Sequence, residues 1–251
     1  MKVTVIGCAG TFPSAGSACS AYLVEHDGFA LLLDMGNGAV GALQRYAALL
    51  APDAVFLSHL HADHCVDLIA YSYARRWHPE RPGPLRVHGP AGTRERLQAI
   101  NQSGPDTFAG VYEFATTAAG RTGIGPFEVT LAPAAHPVET YSIRLEVGGK
   151  TLVYSGDSGP TTNLIRNAKD ADLLLCEATW ADRDDAEDAP YPPDLHLTAN
   201  QAGEHAARAG VQTLWLVHTT PFTDPDTLRE QASARFTGGL EIPAAGATYA
   251  L

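Results

Sequence analysis

Basic residues are scarce in this chain: 17 Lys+Arg stand against 28 Asp+Glu, a formal net charge of −11. A surface that tracks nucleic-acid backbones needs clustered Lys and Arg, so that class of function is disfavoured. Long apolar runs are also lacking, and none approaches the ~20 residues a membrane-spanning helix requires. The start, "MKVTVIGCAG", shows no apolar h-region or cleavage signal and reads as a strand, so a cytoplasmic protein is expected. Cysteine is sparse. Cys8, Cys19, Cys65 and Cys176 form no CxxC pair and are too scattered for a disulfide framework, so reduced, mostly buried thiols are expected. No linker-like or low-complexity stretch interrupts the 251 residues, and one domain over 1–251 with a substantial core is expected.

What the chain does have is alternation of strand-like and helix-like segments. Residues 2–8, 21–25, 29–35 and 53–59 are short and apolar, whereas 38–50 and 64–77 carry helical spacing. Residues 85–90 and 92–101 repeat strand then helix. In the second half, 127–137, 141–149 and 150–158 read as strands, with a hairpin at Gly148-Gly149. Helix 162–168, buried strand 171–178, helix 198–210, strand 213–218 and helix 226–236 follow. The acidic, proline-rich loop 180–194 is either disordered or a lid. Two strand–helix halves of this kind predict two sheets packed face to face with helices outside.

The stretch "SHLHADH", 58–64, packs three histidines and an aspartate into seven positions at a strand-to-helix junction. His59 and His61 are two residues apart and can point the same way. Asp63 and His64 open the helix and turn toward a different centre. Imidazole and carboxylate together suit zinc, manganese or iron, and the bland alternative is a solvated polar loop. Three further apolar strands end in residues of ligand type: His136 in "APAAHPV", Asp157 in "VYSGDSG" and His218 in "TLWLVH". Repetition of that placement lifts each above an ordinary loop residue. Glu177 ends "LLLCE", where its residue type fits either a functional group or a plain salt bridge or cap. His196 stands just before Thr198 and Gln201, which fit a capping box, so His196 is held near the positive end of a helix.

The pattern of "SHLHADH", "AAHP", "SGD", "ADLLLCEATW", "HLTANQAGEHAARAG" and "LVH" resembles the metallo-β-lactamase fold superfamily, in its ribonuclease Z-like phosphodiesterase branch. That resemblance implies an α/β fold, a four-layer αβ/βα sandwich of two mixed β-sheets flanked by helices. It further implies two divalent ions, zinc first and manganese or iron as alternatives. By the same resemblance His59, His61 and His136 hold one ion, Asp63, His64 and His218 hold the other, and Asp157 bridges. Glu177 and His196 match the branch's pair at the leaving group, and with Asp63 they are the residues to which catalysis is assigned.

Ribonuclease Z carries a long arm between the positions matching His136 and Asp157, which in this chain are only 21 positions apart. With the acidic balance, this argues against an extended nucleic-acid partner. A further similarity is to actinobacterial cyclic-nucleotide phosphodiesterases of the atypical class II type, in "GNGAVGALQRY", "LSHLHADHCVDL", "RRWHP", "LLCEATW" and "PPDLHLTANQAG". It implies a small phosphodiester substrate such as cyclic AMP, no membrane partner, and a homodimer. The rivals are an RNA endonuclease lacking the arm, a thioesterase or lactonase indifferent to His196, and a binding module that would have lost ligands. His26, His78, His88 and His205 are given no role in the metal centre. His78 with Arg75, Arg76 and Arg81 is either a solvated helix end or a phosphate contact, and Trp77, Trp180 and Trp215 are either core or base-stacking residues.

Overall fold

The computed structural model describes residues 1–183 and 191–251 and divides into two compact units, residues 1–118 with 244–250, and residues 119–243 with Leu251. Part of the expected loop 180–194, residues 184–190, lies outside the described residues. In the first unit the chain runs β1 (Lys2–Ala9), β2 (Ala18–Cys19), β3 (Ala21–His26), β4 (Phe29–Leu33), α1 (Ala39–Tyr46), β5 (Ala54–Phe56), α2 (Ala62–Cys65), α3 (Asp67–Trp77), β6 (Leu85–Gly89), α4 (Thr93–Ile100) and β7 (Tyr112–Thr116). The second unit holds β8 (Gly120–Ile124), β9 (Phe127–Pro133), β10 (Tyr141–Val147), β11 (Lys150–Tyr154), α5 (Thr162–Asn167), β12 (Leu173–Glu177), α6 (Ala199–Ala209), β13 (Thr213–Val217), α7 (Pro225–Ser233) and β14 (Gly239–Glu241). The strand β15 (Thr248–Ala250) then pairs antiparallel with β1 in the first unit.

Each unit is built on one mixed sheet flanked by helices. The first is ordered β15-β1-β3-β4-β5-β6-β7, with β2 beside β1, and the second β14-β13-β12-β11-β10-β9-β8. The parallel strands are short and apolar because both faces are buried: all five side chains of β12 and all three of β5 are inaccessible. Leu32, Val55, Leu57, Leu68 and Tyr71 pack between sheet and helices in the first unit. Leu174, Cys176, Ala202, Ala206 and Leu216 do so in the second, where the small side chains of α6 allow close approach. At the β10–β11 hairpin, Gly148 and Gly149 take φ of 59° and 73°, the positive values a two-residue turn demands.

Several expected elements are differently bounded. The helix read over 64–77 is two helices, α2 and α3, joined at Val66, and the helix read over 38–50 stops at Tyr46 because Ala47 is extended. Asp67 at the start of α3 accepts from the Val40 amide at 2.9 Å, so it serves the N-terminus of α1, which has no side-chain cap of its own. The capping box on α6 is present, with Thr198 Oγ1 accepting from Gln201 N and Gln201 Oε1 accepting from Thr198 N. The four cysteines are free thiols, buried as expected, and burial pushes Cys19 and Cys65 up to about 12. Among the described residues no helix is long and apolar enough to cross a membrane.

Candidate metal centre

In the first unit, β5 ends at Phe56 and the next residues turn out of the sheet as a loop that carries Ser58, His59 and His61 into α2. His59 and His64 are fully buried and His61 half-buried. The ring nitrogens His59 Nε2 and His61 Nδ1 lie 3.1 Å apart, and His64 Nε2 lies 3.5 Å from Asp63 Oδ2. The α2 turn is pinned by Met35 N donating to His64 O, and Thr11 N donates to Asp63 Oδ2 at 2.9 Å. Gly36 passes so close to this turn that a Cβ there would stand 1.8 Å from the Asp63 carbonyl oxygen. Glycine is required at that position.

In the second unit, His136, Asp157, Glu177, His196 and His218 converge from four different strand ends and one pre-helical segment. Asp157 Oδ1 is 3.5 Å from His218 Nε2, and Asp157 Oδ2 is 3.8 Å from His196 Nδ1. The His196 ring is 5.7 Å from that of His136 and 5.3 Å from that of His218. Trp180 meets His196 edge-on at 5.1 Å and stacks on Tyr191 at 4.2 Å.

Hydrogen-bond donors decide which ring nitrogens carry protons. Ser58 Oγ donates its single proton to Asp34 Oδ2 (2.8 Å), so its 3.0 Å contact with His59 Nδ1 has the imidazole as donor. His64 Nδ1 donates to Asp34 Oδ2 at 2.8 Å, and His136 Nδ1 to the Leu195 carbonyl at 2.9 Å. Thr179 Oγ1 donates to Glu177 Oε2 at 2.9 Å, which makes His218 Nδ1 the donor across 2.8 Å to Thr179. His196 Nδ1 donates to Glu177 Oε1 at 3.1 Å. Five histidines therefore share one tautomer, with Nδ1 protonated and the Nε2 lone pair turned inward. Such outer partners are what metal-ligating histidines require.

The spacing fits as well as the tautomers. Two ligands on a tetrahedral ion with ~2.0–2.1 Å bonds stand about 3.3–3.4 Å apart. The pairs His59–His61, Asp63–His64 and Asp157–His218 stand at 3.1, 3.5 and 3.5 Å. Each unit thus offers imidazole and carboxylate groups of the kind that divalent ions take as ligands.

Glu177 is fully buried and is surrounded by donors: Ser158 N, Thr179 Oγ1, His196 Nδ1 and Leu197 N all reach its two oxygens. A buried carboxylate accepting four hydrogen bonds is fixed in place, and through Oε1 it fixes the orientation of the His196 ring. Two residues of this set carry left-handed backbone, Asp34 at φ 58° and His218 at φ 55°, strain that the surrounding hydrogen bonds must overcome.

The structure brings His59, His61, Asp63 and His64 together in one unit and His136, Asp157, Glu177, His196 and His218 together in the other. Sequence reasoning missed the outer partners Asp34, Ser58, Thr179 and the Leu195 carbonyl. Asp34 was findable, since it too is an acidic residue ending an apolar strand. His205, given no metal role, is 4% exposed; its Nδ1 donates to Gln201 O and its Nε2 accepts from Thr161 N.

Residues 30–219 match the family profile described as "Beta-lactamase superfamily domain". The chain is 34% identical to the "Probable metallo-hydrolase YhfI" of Bacillus subtilis, over 98% of both chains. The crystal structure of YhfI superposes with a TM-score of 0.87 over 99% of each chain. A Ribonuclease Z of Haloarcula marismortui is 27% identical over 95% of this chain and 93% of its own length. A diphosphatase of the PhnP family shares the fold at a TM-score of 0.74 and 17% identity, over 99% of this chain and 96% of that one.

Proposed function

This chain belongs to the beta-lactamase superfamily and is a metal-dependent hydrolase, and from that premise we propose that it cleaves a small phosphodiester, with cyclic AMP as substrate and two zinc ions as cofactors. The observation that carries the reading is the Glu177–His196 pair. A buried carboxylate fixes the imidazole through Nδ1 at 3.1 Å and leaves Nε2 to hand a proton to a leaving oxygen. A thiolate leaves a thioester without such help, whereas an alkoxide leaving phosphorus needs a proton, so the pair suits an oxygen leaving group. That a relative is named Ribonuclease Z and a fold neighbour is a diphosphatase supports chemistry at phosphorus.

As part of the same proposal, His59, His61 and His136 hold one ion, Asp63, His64 and His218 the other, and Asp157 both. Divalent ions at such a centre supply Lewis-acid polarisation of the phosphoryl oxygens and a nucleophile competent at neutral pH. The remaining work falls to side chains. His196, charged when both ring nitrogens are protonated, donates from Nε2 to the departing alkoxide as the P–O bond breaks. Glu177 keeps the ring oriented and balances its charge. Asp63, held by the Thr11 amide, orients the attacking water. Trp180, edge-on to His196, walls one side of that ring. A small substrate also suits the 20 residues between His136 and Asp157, which the β10–β11 hairpin occupies without leaving room for an RNA-gripping arm.

The test is hydrolysis of 3′,5′-cyclic AMP by protein loaded separately with zinc and manganese, with His196→Ala and Asp157→Ala alongside. Loss of a positioned general acid is typically worth ~10²–10⁴-fold, so His196→Ala should keep its metal content and lose kcat by that factor. Normal turnover by His196→Ala would remove the assigned acid. Absence of turnover in metal-loaded wild type would remove the substrate.

A further inference from the structure

The first unit contains a cavity of about 520 Å³ lined by Arg75, Arg76, Trp77, His78 and Arg81, with Ala109–Val111 as its far wall. It lies at the C-terminal end of α3, whereas the metal ligands lie before its N-terminal end. Ten residues at ~1.5 Å rise put about 15 Å of helix between them. The β5–α3–β6 connection explains the separation. His59 follows the C-terminal end of β5, α3 runs back across the sheet, and the cavity opens where β6 and β7 begin, at the opposite edge. It is a second place, not an extension of the first.

In a chain of net charge −11, three guanidiniums in seven positions line this one cavity. Their partners are neutral: Arg75 donates to the Gly83 carbonyl at 2.7 Å and lies over the Tyr71 ring at 5.7 Å, and Arg76 donates to the Thr107 carbonyl. No ion pair to any of the three occurs among the described residues. Arg75 is only 7% exposed, and its Nε has no hydrogen-bond partner, which is costly for a buried charged donor. Arg81 sits at φ 46°, a strained position for a residue with a side chain. His78 Nδ1 accepts from Glu80 N, so the neutral ring keeps its proton on Nε2 as a further donor. Trp77 is 78% exposed, an indole face left to solvent beside the charges.

Helix capping explains part of this. A helix C-terminus carries about half a negative charge and attracts Arg75 and Arg76. Three full positive charges exceed that, and capping accounts for neither Arg81 nor the bare indole. Guanidinium forks match phosphate oxygens, exposed indoles stack on planar rings, and the volume falls within the ~300–1,000 Å³ of small-molecule sites. We propose that this cavity is a second binding site, taking a small phosphate-bearing ligand with a planar ring, of mononucleotide size, away from the metal ligands. It does not depend on which bond the metal centre hydrolyses.

AMP serves as a minimal phosphate-plus-ring probe, titrated into the metal-loaded protein by calorimetry and tryptophan emission. Saturable binding is expected, with the emission change lost in Trp77→Phe and affinity about tenfold weaker in Arg81→Gln, the loss of one charge-assisted contact. Arg81 is exposed, so its replacement leaves the fold intact. Inorganic phosphate should compete, adenosine should bind at least tenfold more weakly than AMP, and binding should survive Asp157→Ala. The proposal is overturned by unchanged affinity in Arg81→Gln, by adenosine binding as tightly as AMP, or by absence of saturable AMP binding. Binding abolished by Asp157→Ala but not by Arg81→Gln would overturn it equally, because AMP would then occupy the metal centre.

Discussion

Asp34→Asn isolates the role of the outer carboxylate. Asp34 is fully buried; its Oδ1 accepts from Ser58 N at 2.7 Å, and its Oδ2 accepts from Ser58 Oγ and His64 Nδ1, each at 2.8 Å. An asparagine has one acceptor oxygen for these three donors. If its oxygen serves His64 and Ser58 Oγ, its amide collides with the Ser58 N–H. If it turns round, the amide faces His64 Nδ1–H, and the ring must shift its proton to Nε2, extinguishing the inward lone pair. Either way one or two charge-assisted bonds are lost at roughly 1.5–3 kcal/mol each, so the metal-free variant should lose about 2–4 kcal/mol. For a chain of this size that is a Tm lower by about 5–15 °C. Outer-partner substitutions typically weaken metal binding ~10–100-fold. Zinc competition against a chromophoric chelator, with melts of the chelator-stripped protein, reads both quantities. A variant that binds zinc within threefold of wild type would refute the tautomer assignment on which the whole site rests.

Gly36→Ala should be damaging out of proportion to its size, because the new Cβ would meet the Asp63 carbonyl at 1.8 Å and push the α2 turn that carries Asp63 and His64. We expect about 1–3 kcal/mol of lost stability and a larger loss of bound metal, checked by melts and metal analysis; full metal content would show that the turn can yield. His205 should make the fold acid-sensitive. Burial lowers its pKa below 6.5, so between that lower value and 6.5 the unfolded chain binds a proton that the folded chain does not. Stability is then complete above 6.5 and falls as pH drops through that window. Urea melts from about pH 5 to 7.5 should show this slope in wild type and a flatter one in His205→Gln; equal slopes would assign the acid sensitivity elsewhere.

The difference between what was readable in the chain and what was not follows from the range of the forces involved. A buried strand end has a simple signature: an apolar run such as "LLLCE" or "TLWLV" that stops at a group capable of charge or coordination. Burying such a group without a partner is prohibitive, so its type and position already indicate that a partner exists. His59, His136, Asp157 and His218 were visible on that ground, whereas Glu177 stood out only through the family resemblance. The identity of the partner carries no such signature. Ser58 is orthodox loop polarity until Asp34, 24 positions away, takes its proton, and Thr179 is an ordinary post-strand residue until His218, 39 positions away, donates to it. Strands β7 and β8 were missed for a related reason. Four of the five side chains of β8 are exposed and two of its residues are glycine, so no alternation marks it, and pairing with β9 alone makes it a strand. The break at Val66 was equally hidden, because helical spacing on both sides of it is continuous. Proton positions, not residue types, distinguish a cluster of histidines from a set of ligands, and those positions are decided by contacts that only the folded chain makes.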